Sequence, residues 1–474
     1  VSEPRHPPAI PAVVSSLAIM VIILGSLGWA VLHMAWAQDV TSVALLLYIA
    51  VEARRTPRGG QAMLLACGAA TIAAFLWLVD PIGVLRHALG EASFLAGLFT
   101  SLGMLRDSAQ TSGLVRRCGE EMVRQPPGRR YAVLCLGSHV ISLALNFGVL
   151  PLLGTMVMHG NTLDAAQGDP KVQDIRKRRM MTAVLRGFAM MTVWSPLSVS
   201  FTVTEGAIHG LPWWRLLSLQ LILALVLMAV GWLLDRFAVP AGMRRPAGEV
   251  ADSDWKPILH LSLFICVIVA SAVAVSQVLS VRMVIGTMLV VPMAALLWSL
   301  AQPDRITAAS LVRSGTGFVS RLGVSLPNFR YEVAMLSGAM FFGTVAAGFI
   351  SPAATAEAIA RLPLPPILMV IAMAWSVMIL AQLGISQIIT VSLFGSALGN
   401  LAQFGVHPLV AASGLMGAWG LSACSTLVGA AVMSVARTAE VSVGTVARDW
   451  NGRFVVAGAI TLAVWMVALS LVLR

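Results

Sequence analysis

The chain is 474 residues long, 58% hydrophobic and 11% charged, with a mean hydropathy of +0.85. Those values exclude a water-soluble domain and define an integral membrane protein. Its 32 Lys and Arg against 21 Asp and Glu lie between apolar runs, so the positive charge belongs to membrane loops and no nucleic-acid partner is expected. Cys67, Cys118, Cys135, Cys266 and Cys424 are scattered without a CxxC pair, so neither a disulfide framework nor a metal centre is expected.

In chain order, a Pro-rich leader (Pro7, Pro8, Pro11) precedes a first span at about 12–35, long enough for a hydrocarbon core of roughly 30 Å. Further spans follow it directly, so no cleavable signal is expected. These lie at about 40–51, 61–79 and 88–105, and a basic connection with Arg106, Arg116, Arg117, Arg124, Arg129 and Arg130 comes next. The segment 131–158 is apolar but carries Ser138, His139, Ser142 and Asn146. It reads either as a crossing helix or as a re-entrant hairpin whose limbs reach mid-membrane. A hydrophilic insert at 159–179 leads to a helix at 182–209 interrupted by Pro196, then to a span at 212–234. A Gly-, Pro- and charge-rich linker at 236–257 divides the chain. Spans follow at 258–279 and 283–301, an amphipathic interfacial helix at 304–327, a span at 333–350, a second hairpin at 363–404, a broken helix at 408–437 and a last span at 454–473.

Positive charge bears on the two readings of 131–158. If it is re-entrant, the basic connections around 54–58, 106–130, 159–182, 236–257, 301–330 and 437–453 share one face and hold most of the Lys and Arg. That face is cytoplasmic by the positive-inside rule. A simple crossing would divide the two connections flanking the segment between opposite faces. The hairpin is therefore preferred, with the N-terminus cytoplasmic and the C-terminus periplasmic.

An internal echo reinforces this plan. Gly137-Ser138-His139-Val140-Ile141-Ser142 returns as Gly384-Ile385-Ser386-Gln387-Ile388-Ile389-Thr390, and Trp194-Ser195-Pro196-Leu197-Ser198 is followed in the second half by Leu421-Ser422-Ala423-Cys424-Ser425. The interval from Ser138 to Ser195 exceeds that from Ser386 to Ser422 by 21 residues, which matches the hydrophilic insert. The chain then reads as two inverted repeats, 61–235 and 258–474, after N-terminal spans in 1–60. Helices broken at mid-membrane expose N–H groups suited to anions and carbonyls suited to cations. Ser195, Ser198, Ser422, Ser425 and Thr426 can complete such a shell, and sodium is expected through carbonyls near Ser195 and Ser422. The alternative is that these hydroxyls bond back to their own helices. His139 is either a proton carrier or a satisfied packing histidine. Spacing leaves Ser138 and Asn146 both open as the first hairpin tip. Among the acids, Glu205 alone lies well inside a predicted span, and Trp213-Trp214 reads as an interfacial anchor.

This arrangement of about eleven spans, two opposed hairpins, two broken helices and an interfacial helix resembles the ion transporter superfamily. That superfamily includes divalent-anion/sodium symporters, membrane subunits of tripartite periplasmic transporters, and arsenite- and aminobenzoyl-glutamate-type permeases. Residues 405–426, from Gly405-Val406-His407-Pro408 to Ser425-Thr426, are similar to the stretch where a helix leads into the second substrate-facing break. Divalent-anion/sodium symporters carry Ser-Asn-Thr at both tips, whereas this chain offers Leu145-Asn146-Phe147 or Ser138-His139-Val140, and Ser386-Gln387-Ile388.

The resemblance implies an all-α inner-membrane secondary transporter working by an elevator movement, expected as a homodimer among membrane lipids. The predicted cargo is a small organic anion coupled to sodium or protons, and no cofactor other than a sodium ion is expected. Candidate binding residues are Ser138, His139, Ser142, Asn146, Ser195, Ser198, Ser386, Gln387, Thr390, Ser422, Ser425 and Thr426. The alternatives are a permease subunit served by a binding protein and, in a different class, a membrane-embedded lipid-handling protein or enzyme. The spans show no clustered nucleophile, carboxylate dyad or metal constellation, so catalysis is not expected.

Overall fold

The computed structural model describes residues 10–208, 210–238, 254–302, 307–349, 357, 365–397 and 405–473. They form an all-α polytopic membrane protein. Among them, eight helices are long and apolar enough to cross a membrane, with shorter apolar helices at Pro366–Gln382 and Pro408–Ala423. Part of the predicted linker (239–253), the start of the interfacial helix (303–306) and parts of the second hairpin (363–364 and 398–404) lie outside the described residues.

The helices fall into two compact units, Val1–Thr111 with Ile268–Glu357, and Ser112–Val267 with Ala358–Arg474. The stretches 61–235 and 258–474 therefore each supply helices to both units. The first unit contains α1 (Ile10–Leu32), α2 (Ala35–Glu52), α3 (Arg58–Trp77) and α4 (Pro81–Gln110). The end of α11 (Lys256–Val278), α12 (Met283–Ala301), α13 (Ala308–Asn328) and α14 (Arg330–Gly348) complete it. Within it α4 packs on α12 and α14, and α1 on α2. The carboxylate of Glu52 is buried but accepts from Ser15 Oγ at 2.7 Å and from Arg330 Nη1 at 3.2 Å, so its charge is compensated. The predicted interfacial helix is α13, opened by a reciprocal Thr307–Ser310 capping box. Along the spanning part of α4, 89% of residues are buried, against 11% along α3. The apolar face of α3 is exposed, as expected where lipid is the solvent.

The second unit contains α5 (Gly113–Arg124), α6 (Pro127–Leu145), α7 (Val149–Gly160), α8 (Pro170–Trp194), α9 (Val199–Ala207) and α10 (Trp213–Ala238). Its second set is α15 (Pro366–Gln382), α16 (Gln387–Ala397), α17 (Pro408–Ala423), α18 (Ala430–Thr438) and α19 (Gly452–Val472). Proline sits in the first turn of α6, α8, α15 and α17, where its fixed φ suits a helix start and its missing N–H removes no intrahelical bond. The structure starts α8 at Pro170 rather than at the predicted 182, because Asp169 caps it by accepting from Lys171 N–H at 2.8 Å. Half of the hydrophilic insert is thus helical. Helix α5, strongly amphipathic, occupies the basic connection at 106–130.

Two five-helix sets repeat one packing plan in this unit. Helix α6 packs on α8 as α15 packs on α17, and α10 packs on α8 as α19 packs on α17. The second limbs then exchange: α7 packs on α18, and α16 on α9. The long halves α8 and α17 also touch, with Gly420 against Val193 and Ala189. All of residues 409–422 and 180–194 are buried, which makes these two helices the centre of the unit.

Candidate functional site

The first break lies between α8 and α9. Pro196 has no N–H to offer the Thr192 carbonyl four residues back, and that carbonyl accepts instead from Ser200 Oγ. The Val193 carbonyl loses Leu197 N–H, which donates to Ser195 Oγ at 3.0 Å, and takes Gln220 Nε2 of α10 at 3.0 Å. Ser198 caps α9 by accepting from Phe201 N–H at 3.3 Å and itself donates to the Ser195 carbonyl at 2.6 Å. Ser195 and Ser198 are both buried. Hydroxyl and amide side chains thus stand in for the donors that the proline removes.

The first limb of the hairpin is bonded to α8 a few turns before this break. Gly187 permits the approach, because a Cβ there would overlap Ser138 Oγ and the Cys135 carbonyl. Ser138 Oγ bridges the carbonyls of Cys135 and Val184, each at 3.1 Å, and Ser142 Oγ donates to the Ser138 carbonyl. His139 Nε2 accepts from the Trp194 indole N–H at 3.0 Å, while Nδ1 lies 3.2 Å from the Gly187 carbonyl. An indole can only donate and a carbonyl only accept. The proton therefore resides on Nδ1 and the ring is a neutral, fully bonded imidazole. The ring planes of His139 and Trp194 are 20° apart with centroids 6.0 Å apart, an edge-to-edge contact set by that hydrogen bond rather than face stacking.

The second break, between α17 and α18, uses the same chemistry with different side chains. The Ser422 carbonyl accepts from Ser425 N–H, Thr426 N–H and Thr426 Oγ1 at 2.9, 2.9 and 2.7 Å. Ser422 Oγ bonds back to the Ala418 carbonyl at 2.7 Å, and Ser425 Oγ accepts from Gln382 Nε2 of α15 at 2.9 Å. The hairpin α15–α16 turns through Gly384, whose φ of 87° suits a residue without Cβ. Just past it, Gln387 Nε2 reaches the Trp419 carbonyl at 3.4 Å and Thr390 Oγ1 donates to the Ser386 carbonyl at 3.2 Å. Helix α18 begins at Ala430, and its N-cap, Gly429, offers no side chain to cap it.

The sequence candidates therefore gather in one unit, in three groups and the turn residue Asn146. Ser195, Ser198, Ser422, Ser425 and Thr426 border the breaks, and Ser138, His139 and Ser142 lie along α6 facing α8. Ser386, Gln387 and Thr390 lie at the start of α16. The two copies of the echo thus occupy different places: Ser138 is in mid-limb, while Ser386 is at a tip. The first hairpin turns at Asn146–Gly148, with Asn146 at φ 49° and ψ −129°. Several participants were not singled out from the sequence: Gly187, Ser200, Gln220 and Gln382. For Gln220 a signal existed, an amide inside an otherwise apolar span. Among the described residues no group of three or more His, Cys, Asp or Glu could hold a metal ion.

Charge is sparse here. Arg186 of α8 is buried and donates to Asn451 Oδ1 at 3.0 Å, Tyr131 OH at 2.9 Å, and the Gly231 and Trp450 carbonyls at 3.3 and 3.1 Å. Its guanidinium also lies 4.5 Å from the Phe454 ring centroid. Neutral dipoles and a π face hold this charge. Residues 445–450, next to Asn451, form a π-helical turn, a local widening often found beside functional positions.

No protein-family model and no curated protein matches the chain. Solved structures do. The YdaH transporter of Alcanivorax borkumensis is 12% identical with a TM-score of 0.53, over 88% of this chain and 98% of that one. MtrF of Neisseria gonorrhoeae, described within a class of antimetabolite efflux pumps, is 12% identical with a TM-score of 0.43, over 86% and 95%. The likeness to YdaH is one of fold: this is a multi-pass helical membrane protein with the architecture of a solved transporter.

Proposed function

We propose that the chain is a secondary transporter of the inner membrane whose second unit carries the cargo, a small organic anion, by an elevator movement. The observation that carries this reading is the exchange between repeats, in which each hairpin ends on the short half-helix of the other repeat. Such interlocked, inverted elements with broken helices are how transporters build one site from two repeats. The YdaH-like fold supports the same class. The uncapped start of α18 supports an anionic cargo, since free N–H groups and the helix dipole favour negative charge. Coupling is assigned to sodium. His139, the candidate proton carrier, already has both ring nitrogens bonded, whereas carbonyl and hydroxyl oxygens are dense at both breaks.

The test is uptake by purified protein in liposomes, with labelled small carboxylates and sulfonates under imposed sodium or proton gradients. Sodium-driven accumulation of one anion class, reduced by Ser195→Ala and by Ser422→Ala, is the expected result. Accumulation driven equally well by protons with sodium absent would overturn the coupling assignment, and no accumulation of any anion would overturn the cargo class.

A further inference from the structure

The hydrophilic insert of the first repeat has no counterpart in the second and no part in the transport site proposed above. It builds a basic cavity. From Asn161 the chain passes through a 3-10 turn at Asp164–Ala166 into α8. Asn161 and Gln173 close this excursion by donating side-chain amides to each other's carbonyls at 2.9 and 2.8 Å. Arg176, on the first turns of α8, reaches back to the Ala165 carbonyl. Together with Arg179 one turn later and Arg130 at the foot of α6, it lines a small cavity completed by Tyr131 and Met180.

The charges around this cavity are unequal. Arg179 is neutralised by a bidentate pair with Asp235, Nε to Oδ1 at 3.0 Å and Nη2 to Oδ2 at 2.7 Å. Arg130 spends only its Nε on a neutral partner, the Gln125 carbonyl at 2.7 Å. The nearby acids are engaged elsewhere, Asp169 in capping α8 and Asp174 in pairing with Lys177 at 3.1 Å. Among the described residues neither Arg130 nor Arg176 has a carboxylate within ion-pair distance, and Arg176 Nε is buried without a hydrogen-bond partner. Burial lowers the pKa of Arg176 below its ordinary value, as expected of a guanidinium partly withdrawn from water. Two unpaired guanidinium forks in one cavity match the tetrahedral oxygens of a phosphate. The cavity also lies at the foot of α6, where the basic connection meets the apolar run of the hairpin, and cations beside an apolar run attract anionic headgroups.

We propose that this cavity binds a phosphate group, presented by an anionic lipid headgroup or by free phosphate. Bound there, the phosphate bridges the foot of the first hairpin to α8. The site has no equivalent among the described residues at the start of α17, where His407 and Pro408 stand. It ties the first hairpin to the ionic surface of the membrane.

The test uses full-length protein in a neutral detergent, stripped of lipid. Thermal unfolding is followed against inorganic phosphate and against phosphatidylglycerol, at constant ionic strength. A saturable rise with phosphatidylglycerol alone assigns the site to a lipid headgroup, and a rise with inorganic phosphate assigns it to the free anion. In either case the half-saturating concentration is expected to increase about tenfold or more in Arg176→Gln. It should stay unchanged in Arg116→Gln, whose side chain is 72% exposed on α5. Arginine modification by phenylglyoxal, mapped by mass spectrometry, needs no variant: the bound ligand protects Arg130 and Arg176 but not Arg116. No saturable shift with either ligand, equal affinity in Arg176→Gln, or unprotected Arg130 and Arg176 under saturating ligand would overturn the proposal.

Discussion

The two repeats of the second unit share a packing plan but are bonded differently. The first hairpin is fastened to α8 along its limb, by Ser138 and by the Gly187–His139–Trp194 chain, with side chains buried throughout. The second is fastened near its turn, by Gln382 on Ser425 in the second break and by Gln387 on Trp419 of α17, with both amides partly exposed. Hydrogen bonds made inside the core stiffen more than bonds between part-exposed groups. Near-symmetry of fold therefore coexists with asymmetry of fastening, and the second hairpin is expected to be the one that opens.

The strongest way to break this contrast is at Gly187. Gly187→Ala forces a Cβ against a backbone carbonyl that cannot rotate away, and is expected to cost about 1–3 kcal/mol, read as a lower unfolding temperature in detergent. Next comes the histidine. His139→Leu leaves the Trp194 N–H buried without a partner and strips the Gly187 carbonyl of its bond from outside α8, and is expected to cost about 1–3 kcal/mol. Gln387→Leu removes one long, part-exposed bond and should cost about 0.5 kcal/mol or less. Equal losses in the two variants would contradict the asymmetry. Amide hydrogen exchange sharpens it further, with faster exchange expected across 387–397 than across 131–145. A smaller effect is expected at the first tip. Asn146 holds the positive φ of a turn position that glycine prefers, so Asn146→Gly should be neutral or stabilise by a few tenths of a kcal/mol.

Much of this fold is legible in sequence because lipid imposes long apolar runs and proline marks the starts. The spans at 283–301 and 454–473, the start at Pro408 and the interruption at Pro196 follow from those two signals. The register of the echo does not. Ser-x-x-x-Ser/Thr patterns serve both as limb bonds, as at Ser138 and Ser142, and as tip bonds, as at Ser386 and Thr390. Sequence similarity between them does not imply equivalent depth. The His139–Trp194 bond joins residues 55 apart, and only the packing of α6 on α8 shows that the histidine is already satisfied. The exchange of α7 with α18 and α16 with α9 was invisible for the same reason, since a short apolar limb carries no mark of its partner.

A small effect would also sharpen the account of coupling. His139→Gln is expected to leave the pH dependence of transport as in the wild-type protein between about pH 5.5 and 7.5, whatever it does to stability. A pH profile flattened by that one change would restore the histidine as a proton carrier.

The claim that both breaks face one cargo is tested most directly by ligand-dependent thermal stabilisation of the purified protein. Small carboxylates, sulfonates and inorganic anions are screened with sodium and with potassium. The account predicts sodium-dependent stabilisation by one anion class, lost in Ser195→Ala and lost again in Ser422→Ala. Stabilisation that survives in both variants, or that depends on only one of the two breaks, would contradict a site shared by the two repeats.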